Sequence, residues 1–144
     1  MILVDSNVFM YAAGAEHAAK QPSARFLEAV AGGQIEACVD AEVLQEILHR
    51  YWAIKRPTDG NHVYDLTRQI VSTVLPITAG ITDAARDLLA KDPSLSARDA
   101  LHAAVVLQNH LEIICSYDDD FDRIEGLSRR TPDQILAGHA GGDQ

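Results

Sequence analysis

The residues of this sequence that suggest chemistry are acids placed where predicted strands end or helices begin. Asp5 directly follows the apolar run Ile2–Val4, and Asp118 follows a second apolar run late in the chain. Asp40 and Asp99 stand at the predicted starts of two helices. A carboxylate is costly to bury, so Asp5 is expected where its strand leaves the core. Carboxylates that lie close together repel one another unless a cation is present, so a cluster of these acids predicts a metal site.

The chemistry open to such a cluster follows from its ligand atoms. Ligand sets made only of oxygen select hard cations, chiefly Mg²⁺ or Mn²⁺. A site of this kind can activate a water and stabilise the leaving oxygen in phosphodiester hydrolysis. The sequence has no Gly-rich phosphate loop and no Cys or His ligand spacing that would favour another chemistry. Glu46 is a further candidate, because it borders a buried helix face without an evident Lys or Arg partner.

Strands and helices must alternate for these acids to meet. The apolar periodicity predicts an α/β fold in three layers, with a mostly parallel sheet of four to five strands and helices on both faces. Right-handed crossovers then bring helix starts and strand ends to the same carboxyl edge of the sheet. Asp5, Asp40, Asp99 and Asp118 all fall on that edge, and Glu46 lies within two turns of it. The first strand is predicted to be central.

Several boundaries are predicted from local signals. Asp40 is expected to serve only as the N-cap of the third helix, and Thr82 or Asp83 to begin the helix that follows the third strand. The best helix, rich in Ala and Leu, spans residues 96–109. A single domain is predicted over residues 1–136, with residues 137–144 forming a small, polar, frayed tail.

Some of these residues have a structural alternative. Asp99 lies three residues after Ser96, so it could complete a capping box at a helix start, and both roles could hold. His49 and His102 each follow a candidate acid by one turn, and a satisfied structural role is favoured for both. Which acid of residues 118–122 is the ligand stays open at this stage.

Composition limits the possible classes of protein. The 144 residues are 47% hydrophobic, which suits one domain with a real core. A formal net charge of −9 opposes non-specific binding to nucleic acid, so a polyanionic substrate would need metal ions or a local basic groove. Two clusters are candidates for that groove, although each is more often an ordinary solvated face: Arg50, Lys55 and Arg56, and Arg123, Arg129 and Arg130. We expect a cytoplasmic protein that does not enter a membrane, with Cys38 and Cys115 as buried free thiols.

The acids lie in four stretches that together resemble the motifs of PIN domains. Any one stretch is a weak signal, whereas the four in this order and spacing are specific, and the resemblance covers residues 1–136. The stretches are Val4–Val8, Val43–Ile47, Ala97–Ala104 and Ser116–Phe121. Carried over by motif, the acidic site would consist of Asp5, Glu46, Asp99 and Asp118. Asp120 would be a possible extra metal ligand, and Ser6 would hold Asp5 or a water by its hydroxyl.

A single short domain of this kind resembles the VapC-type toxins of bacterial toxin–antitoxin pairs. The resemblance implies an endoribonuclease that depends on Mg²⁺ or Mn²⁺ and cuts a structured RNA such as transfer or ribosomal RNA. It also implies a homodimer that a small antitoxin protein neutralises. Tyr51, Trp52 and Tyr64 lie on the two middle helices, where we expect an apolar groove for an antitoxin peptide with Trp52 as its anchor.

One alternative keeps the fold and removes the reaction. The chain could be a non-catalytic PIN-like module that holds RNA or a partner protein without cutting it. The complete set of acids argues against this alternative, because a module that only binds has little use for all of them.

Overall fold

The structure, a computed structural model, describes residues 1–142. Helices and strands alternate along most of the chain, and a 3-10 helix, Asp119–Arg123, follows the fourth strand. The strands are β1 (Ile2–Val4), β2 (Ala37–Asp40), β3 (Val74–Leu75), β4 (Ile113–Cys115) and β5 (Ser128–Arg130). The α-helices are α1 (Ser6–Ala13), α2 (Lys20–Ala31), α3 (Ala41–Ala53), α4 (Pro57–Ile70), α5 (Ala79–Lys91), α6 (Ala97–Gln108) and α7 (Pro132–Gly142).

The five strands form one parallel sheet in the order β3-β2-β1-β4-β5. Leu3 pairs with Cys38 on one side and with Ile114 on the other, so β1 is central. The predicted parallel sheet and the central position of β1 are therefore confirmed. The carboxyl ends of β1, β2 and β4 lie side by side, which brings Asp5, Asp40 and Ser116 to a common edge.

Two apolar cores lie on opposite faces of the sheet, because alternate strand residues point to opposite sides. Val4, Val39 and Cys115 pack with α1 to α4 and α7. Leu3, Cys38 and Ile114 pack with α5, α6 and the 3-10 helix. The neighbouring residues of each short strand thus serve both layers of helices. No helix within residues 1–142 has the length and hydropathy needed to cross a lipid bilayer.

Two regions differ from the sequence prediction. Helix α5 begins at Ala79, because the Thr78 hydroxyl accepts a hydrogen bond from the Ile81 N–H (3.2 Å), so the predicted start at Thr82 or Asp83 is wrong. This side-chain cap outweighs the low helix propensity of Gly80. Helix α7 was not predicted, and the expected boundary after residue 136 falls inside it. Ile135 packs into the core beside α2, while residues 143–144 lie outside the described residues.

The two cysteines give a test of the strand order. Cys38 and Cys115 lie on the strands that flank β1 and belong to opposite cores, so their backbones are two strand spacings apart, roughly 9–10 Å. That separation is too long for a disulfide. Burial also raises the pKa of both thiols, that of Cys38 to about 11. We expect mass spectrometry of non-reduced protein to find two free thiols that iodoacetamide labels only after unfolding. An internal bridge would contradict the strand order.

Candidate active site

The predicted acids meet in an open cleft at the carboxyl edge of the sheet. The cleft has a volume of about 310 Å³ and lies where β1 and β4 end and where α1 and α6 begin. Its lining residues are Asp5, Ser6, Asn7, Glu46, Ser96, Arg98, Asp99, Asp118 and Asp120. Every acid predicted for the site therefore borders one cleft, although these acids come from four separate stretches of the chain.

Asp5 is held at the base of the cleft by hydrogen bonds to both carboxylate oxygens. It is only 5% exposed. Oδ1 accepts a bond from the Ser6 N–H (2.7 Å), and Oδ2 accepts one from the Ser116 hydroxyl (2.6 Å). Burial raises the pKa of Asp5, His102 opposes that rise and nearby Glu46 adds to it. The carboxylate is thus fixed in orientation but costly to keep charged.

Ser116 links the first acid to the fourth and was not assigned a role from the sequence. Its buried hydroxyl donates to Asp5 and accepts the backbone N–H of Asp118 (3.0 Å) and the side-chain amide of Asn7 (3.2 Å). One hydroxyl therefore sets the relative positions of Asp5 and Asp118. Its place directly after an apolar strand, two residues before an acid, is the sequence signal that could have identified it.

A buried imidazole joins two further acids. His102 is fully buried on α6; its Nδ1 lies 2.7 Å from Oδ2 of Asp40, and its Nε2 contacts Oε1 of Glu46. The prediction that Asp40 is only an N-cap is wrong, because its Oδ1 caps α3 at the Val43 N–H (2.9 Å) while its Oδ2 binds His102. Glu46 does have a basic partner, which is His102 rather than a Lys or Arg.

The charge on this imidazole follows from its neighbours. Burial by itself lowers the pKa of His102, but Asp40, Glu46 and Asp5 outweigh that effect, and the pKa ends well above its ordinary value. His102 is therefore an imidazolium at neutral pH, and both ring nitrogens donate to carboxylates. Oδ1 of Asp5 lies 3.7 Å from Nε2. One positive charge thus serves three carboxylates at the base of the cleft.

A second group of acids lines the same cleft. Carboxylate oxygens of Asp99, Asp118 and Asp120 lie within 4.8 Å of one another. Burial raises the pKa of Asp99 to about 7, and the adjacent Asp118 and Asp5 add to the rise. In the metal-free protein, the Asp99 carboxyl therefore readily holds a proton near neutral pH. A cation held by these oxygens would replace that proton, so the donor set fits a hard divalent ion.

The structure distinguishes among the acids that follow β4. Asp118 turns back toward the cleft and its Oδ1 accepts the Asp120 N–H (3.0 Å). Asp120 borders the cleft and pairs with Arg123 (2.9 Å). Asp122 instead pairs with Arg129 (2.9 Å), away from the cleft. Asp118 and Asp120 are thus placed to act with Asp99, and Asp122 is not.

Ser6 and the two candidate histidines are the next site residues to which the sequence assigned a role. The Ser6 hydroxyl lies 3.1 Å from Oε2 of Glu46 and 3.4 Å from Asp5, so it contacts the acid it was expected to hold. Of the two histidines, His102 is buried with hydrogen-bond partners for both ring nitrogens, whereas His49 is exposed on α3.

Ser96 accepts the Asp99 N–H (3.1 Å), but within residues 1–142 the Asp99 carboxylate makes no hydrogen bond back to Ser96. Only half of the capping box is therefore formed, and the carboxylate is left for the cleft.

Comparison with known proteins agrees with this combination of fold and acidic cleft. A family model described as the PIN domain matches residues 2–127, so the chain belongs to the PIN-domain family. Within that family it is 45% identical over 129 residues to Ribonuclease VapC13 of Mycobacterium tuberculosis, a match that covers 90% of this chain and 98% of the relative.

Solved structures share the fold at low sequence identity. VapC20 of Mycobacterium tuberculosis, described as a Sarcin-Ricin loop cleaving toxin, superposes with a TM-score of 0.70 at 17% identity, covering 85% of this chain and 93% of that one. VapBC2 of Rickettsia felis, solved bound to a DNA fragment from its promoter, gives a TM-score of 0.72 at 18% identity over 91% and 98%. At these identities the likeness concerns the fold alone.

Variants of Asp99 and Ser96 distinguish a catalytic role from a helix-capping role. Because the pKa of Asp99 is raised in the folded protein, folding favours its protonated form, and this carboxyl costs the metal-free protein stability as pH rises from about 4 to about 7. Asp99→Asn should therefore melt higher than wild type at pH 8 without metal, and the gain should vanish near pH 4. Its RNA cleavage should fall by orders of magnitude.

Ser96→Ala is the matched variant, because it removes the cap and leaves every acid in place. It should lose about 1 kcal/mol of stability and keep its cleavage rate at temperatures where it stays folded. Melting curves and cleavage rates of both variants at one Mn²⁺ concentration show whether Asp99 acts in catalysis or only in the structure. If Asp99→Asn melts early yet cuts RNA at the wild-type rate, Asp99 is only a structural residue.

Proposed function

We propose that this protein is a metal-dependent endoribonuclease, the toxin of a toxin–antitoxin pair, which cuts a structured RNA such as transfer or ribosomal RNA. The observation that carries the proposal is the convergence of Asp5, Glu46, Asp99 and Asp118 on one cleft. Identity of 45% to a VapC ribonuclease supports the reaction class. We also propose that the protein acts in the cytoplasm with its substrate and that residues 1–136 contain the nuclease domain.

The residues proposed to hold the metal are Asp5, Asp99, Asp118 and Asp120. A bound Mg²⁺ or Mn²⁺ would lower the pKa of a water and stabilise charge on the leaving oxygen. The raised pKa of Asp99 supports this assignment, because it reflects burial of the carboxyl together with the adjacent acids Asp118 and Asp5. Arg98 also lines the cleft and offers a cation to the RNA backbone beside these acids.

The supporting residues hold the acids in one arrangement before the substrate binds. Ser116 and the Ser6 N–H fix both oxygens of Asp5, and the Ser6 hydroxyl connects Asp5 to Glu46. His102 then holds Glu46 against α6. Because these bonds exist without substrate, the cleft needs little reorganisation at the moment of reaction.

Exposed apolar side chains at the end of α3 support a protein partner. Leu48 and Trp52 lie on α3 and Ile54 directly follows it, and they are 37%, 48% and 39% exposed, unusual values for large apolar side chains. We infer that these three side chains, which we call the α3 strip, bind the antitoxin, with Trp52 as the anchor beside the α3–α4 contact. The Trp52 ring lies over Gly60 of α4, so the anchor is already held in place. A homodimer is proposed from the family resemblance alone.

The central test is metal-dependent cleavage by purified protein. Mn²⁺ or Mg²⁺ should permit cleavage of RNA, and EDTA should abolish it. The ion should also raise the melting temperature, since saturation at about 100 times Kd adds roughly 2.7 kcal/mol. Asp5→Asn should remove both effects while remaining folded, because Asn keeps the size and one acceptor oxygen.

The control for this experiment is Asp122→Asn. This residue belongs to the acidic run 118–122, but it pairs with Arg129 away from the cleft. It should cleave normally and respond to metal like the wild type. Cleavage that survives EDTA and Asp5→Asn would contradict the proposal. Metal-stabilised protein that cuts no RNA would instead favour a non-catalytic binding module.

The α3 strip gives a prediction about the partner. Trp52→Ala should stay folded because nearly half of the side chain is exposed, and it should bind the antitoxin roughly 30-fold more weakly, the typical loss at an aromatic hot spot of about 2 kcal/mol. Leu89→Ala on α5, across the sheet, is the control and should bind normally. Isothermal titration calorimetry measures the affinity of each variant for the antitoxin. Normal binding by folded Trp52→Ala would place the interface elsewhere.

A further inference from the structure

A second pocket opens between α1 and the end of α3, and the acidic site does not account for it. This α1–α3 pocket has a volume of about 350 Å³, within the roughly 300–1,000 Å³ typical of small-ligand sites. Met10, Tyr11, Tyr51 and Ile54 give it an apolar and aromatic lining. It is therefore large enough, and of the right character, to take a planar ring.

The α1–α3 pocket adjoins the acidic cleft at Asn7, which lines both. The Asn7 amide donates to Ser116 (3.2 Å) and lies 3.4 Å from Oδ2 of Asp5. Its Oδ1 is buried and has no hydrogen-bond partner within residues 1–142. A buried acceptor without a partner is costly, so it marks a place where a ligand N–H would be favourable.

The charge of the α1–α3 pocket is opposite to that of the cleft beside it. Arg50 and Arg56 both line the pocket, in a chain whose formal net charge is −9. Arg56 pairs with Asp59 (2.7 Å), whereas Arg50 has no ion-pair partner within residues 1–142. A polyanion that is repelled by the rest of the surface would find a cation here, directly beside the acids.

We propose that the α1–α3 pocket binds one unpaired nucleotide of the RNA next to the phosphodiester in the acidic cleft. This proposal rests on the proposed function. Single-stranded RNA is read by stacking splayed bases on aromatic rings and guanidinium planes and by hydrogen bonds to the base edges. Tyr11 supplies the aromatic surface, Arg50 binds the phosphate, and Oδ1 of Asn7 accepts a base N–H. The pocket thereby selects which sequence enters the cleft.

An apolar peptide is the other occupant that the lining could accept. Arg50 and the unpaired amide oxygen favour a nucleotide, because an apolar side chain would leave both without partners. Ile54 also belongs to the α3 strip, so the pocket and the strip adjoin at this residue. The experiment must therefore separate binding of nucleotides from binding of the antitoxin.

The first arm measures binding of the four nucleoside 5′-monophosphates by two-dimensional NMR in EDTA, which excludes binding through a metal. We expect saturable shifts at the pocket residues with a preference for one base. Ile54→Glu should abolish binding, whereas Ala90→Glu, which adds the same charge at an exposed position of α5 across the sheet, should not. Arg50→Gln should weaken binding about tenfold, as expected for one charge-assisted hydrogen bond, and Arg86→Gln across the sheet should change nothing.

The second arm maps cut sites in a pool of randomised single-stranded RNA with Mn²⁺. Wild type should prefer one base at a fixed position beside the cut, and Ile54→Glu and Arg50→Gln should lose that preference while Ala90→Glu keeps it. Base-selective nucleotide binding by a wild type that cuts nothing would support the pocket and refute the nuclease. Cleavage with unchanged preference and binding in both pocket variants would overturn the pocket. If those variants lose only antitoxin binding, the occupant is a protein.

Discussion

The ion cluster around His102 is the constraint on which the site depends. The imidazolium is fully buried and contacts Asp40 at the end of β2 and Glu46 on α3, so it ties α6 to the neighbouring elements. Removing one partner of a buried ion pair typically costs about 3–5 kcal/mol, because the other charge is left without compensation. Here the imidazolium also opposes the repulsion between Asp5 and Glu46. The same contact therefore supports both packing and the ionised state of the acids.

Much of the arrangement could be predicted because the geometry of parallel α/β sheets is restrictive. Short apolar runs identified the strands, and right-handed crossovers then required Asp5, Asp99 and Asp118 to share one edge. The four-motif resemblance carried the assignment of Glu46, which lies on a helix rather than at a strand end. For Asp5, Asp99 and Asp118 a local pattern was enough, because the ends of parallel strands and the starts of the helices between them meet at one edge of the sheet.

The predictions failed where a residue has two partners or a distant one. Asp40 was assigned only as a cap because its bond to Val43 is local, whereas its bond to His102 joins residues that are 62 positions apart. The connections made by Ser116 depend likewise on the pairing of β1 with β4. Helix α7 was missed because its glycines lower helix propensity, and docking of Ile135 against the core outweighs that cost.

The hydrogen bond from the Asp5 N–H to the carbonyl oxygen of Cys115 (3.0 Å) has a consequence for synthesis of the chain. Asp5 is translated 111 positions before Ser116, its hydrogen-bond partner. Ribosomes add roughly 5–20 residues per second, so every nascent chain passes seconds without a complete cleft. The acidic cleft therefore forms only after β4 and the residues that follow it have been made. The order of the motifs along the chain thus delays assembly of the site.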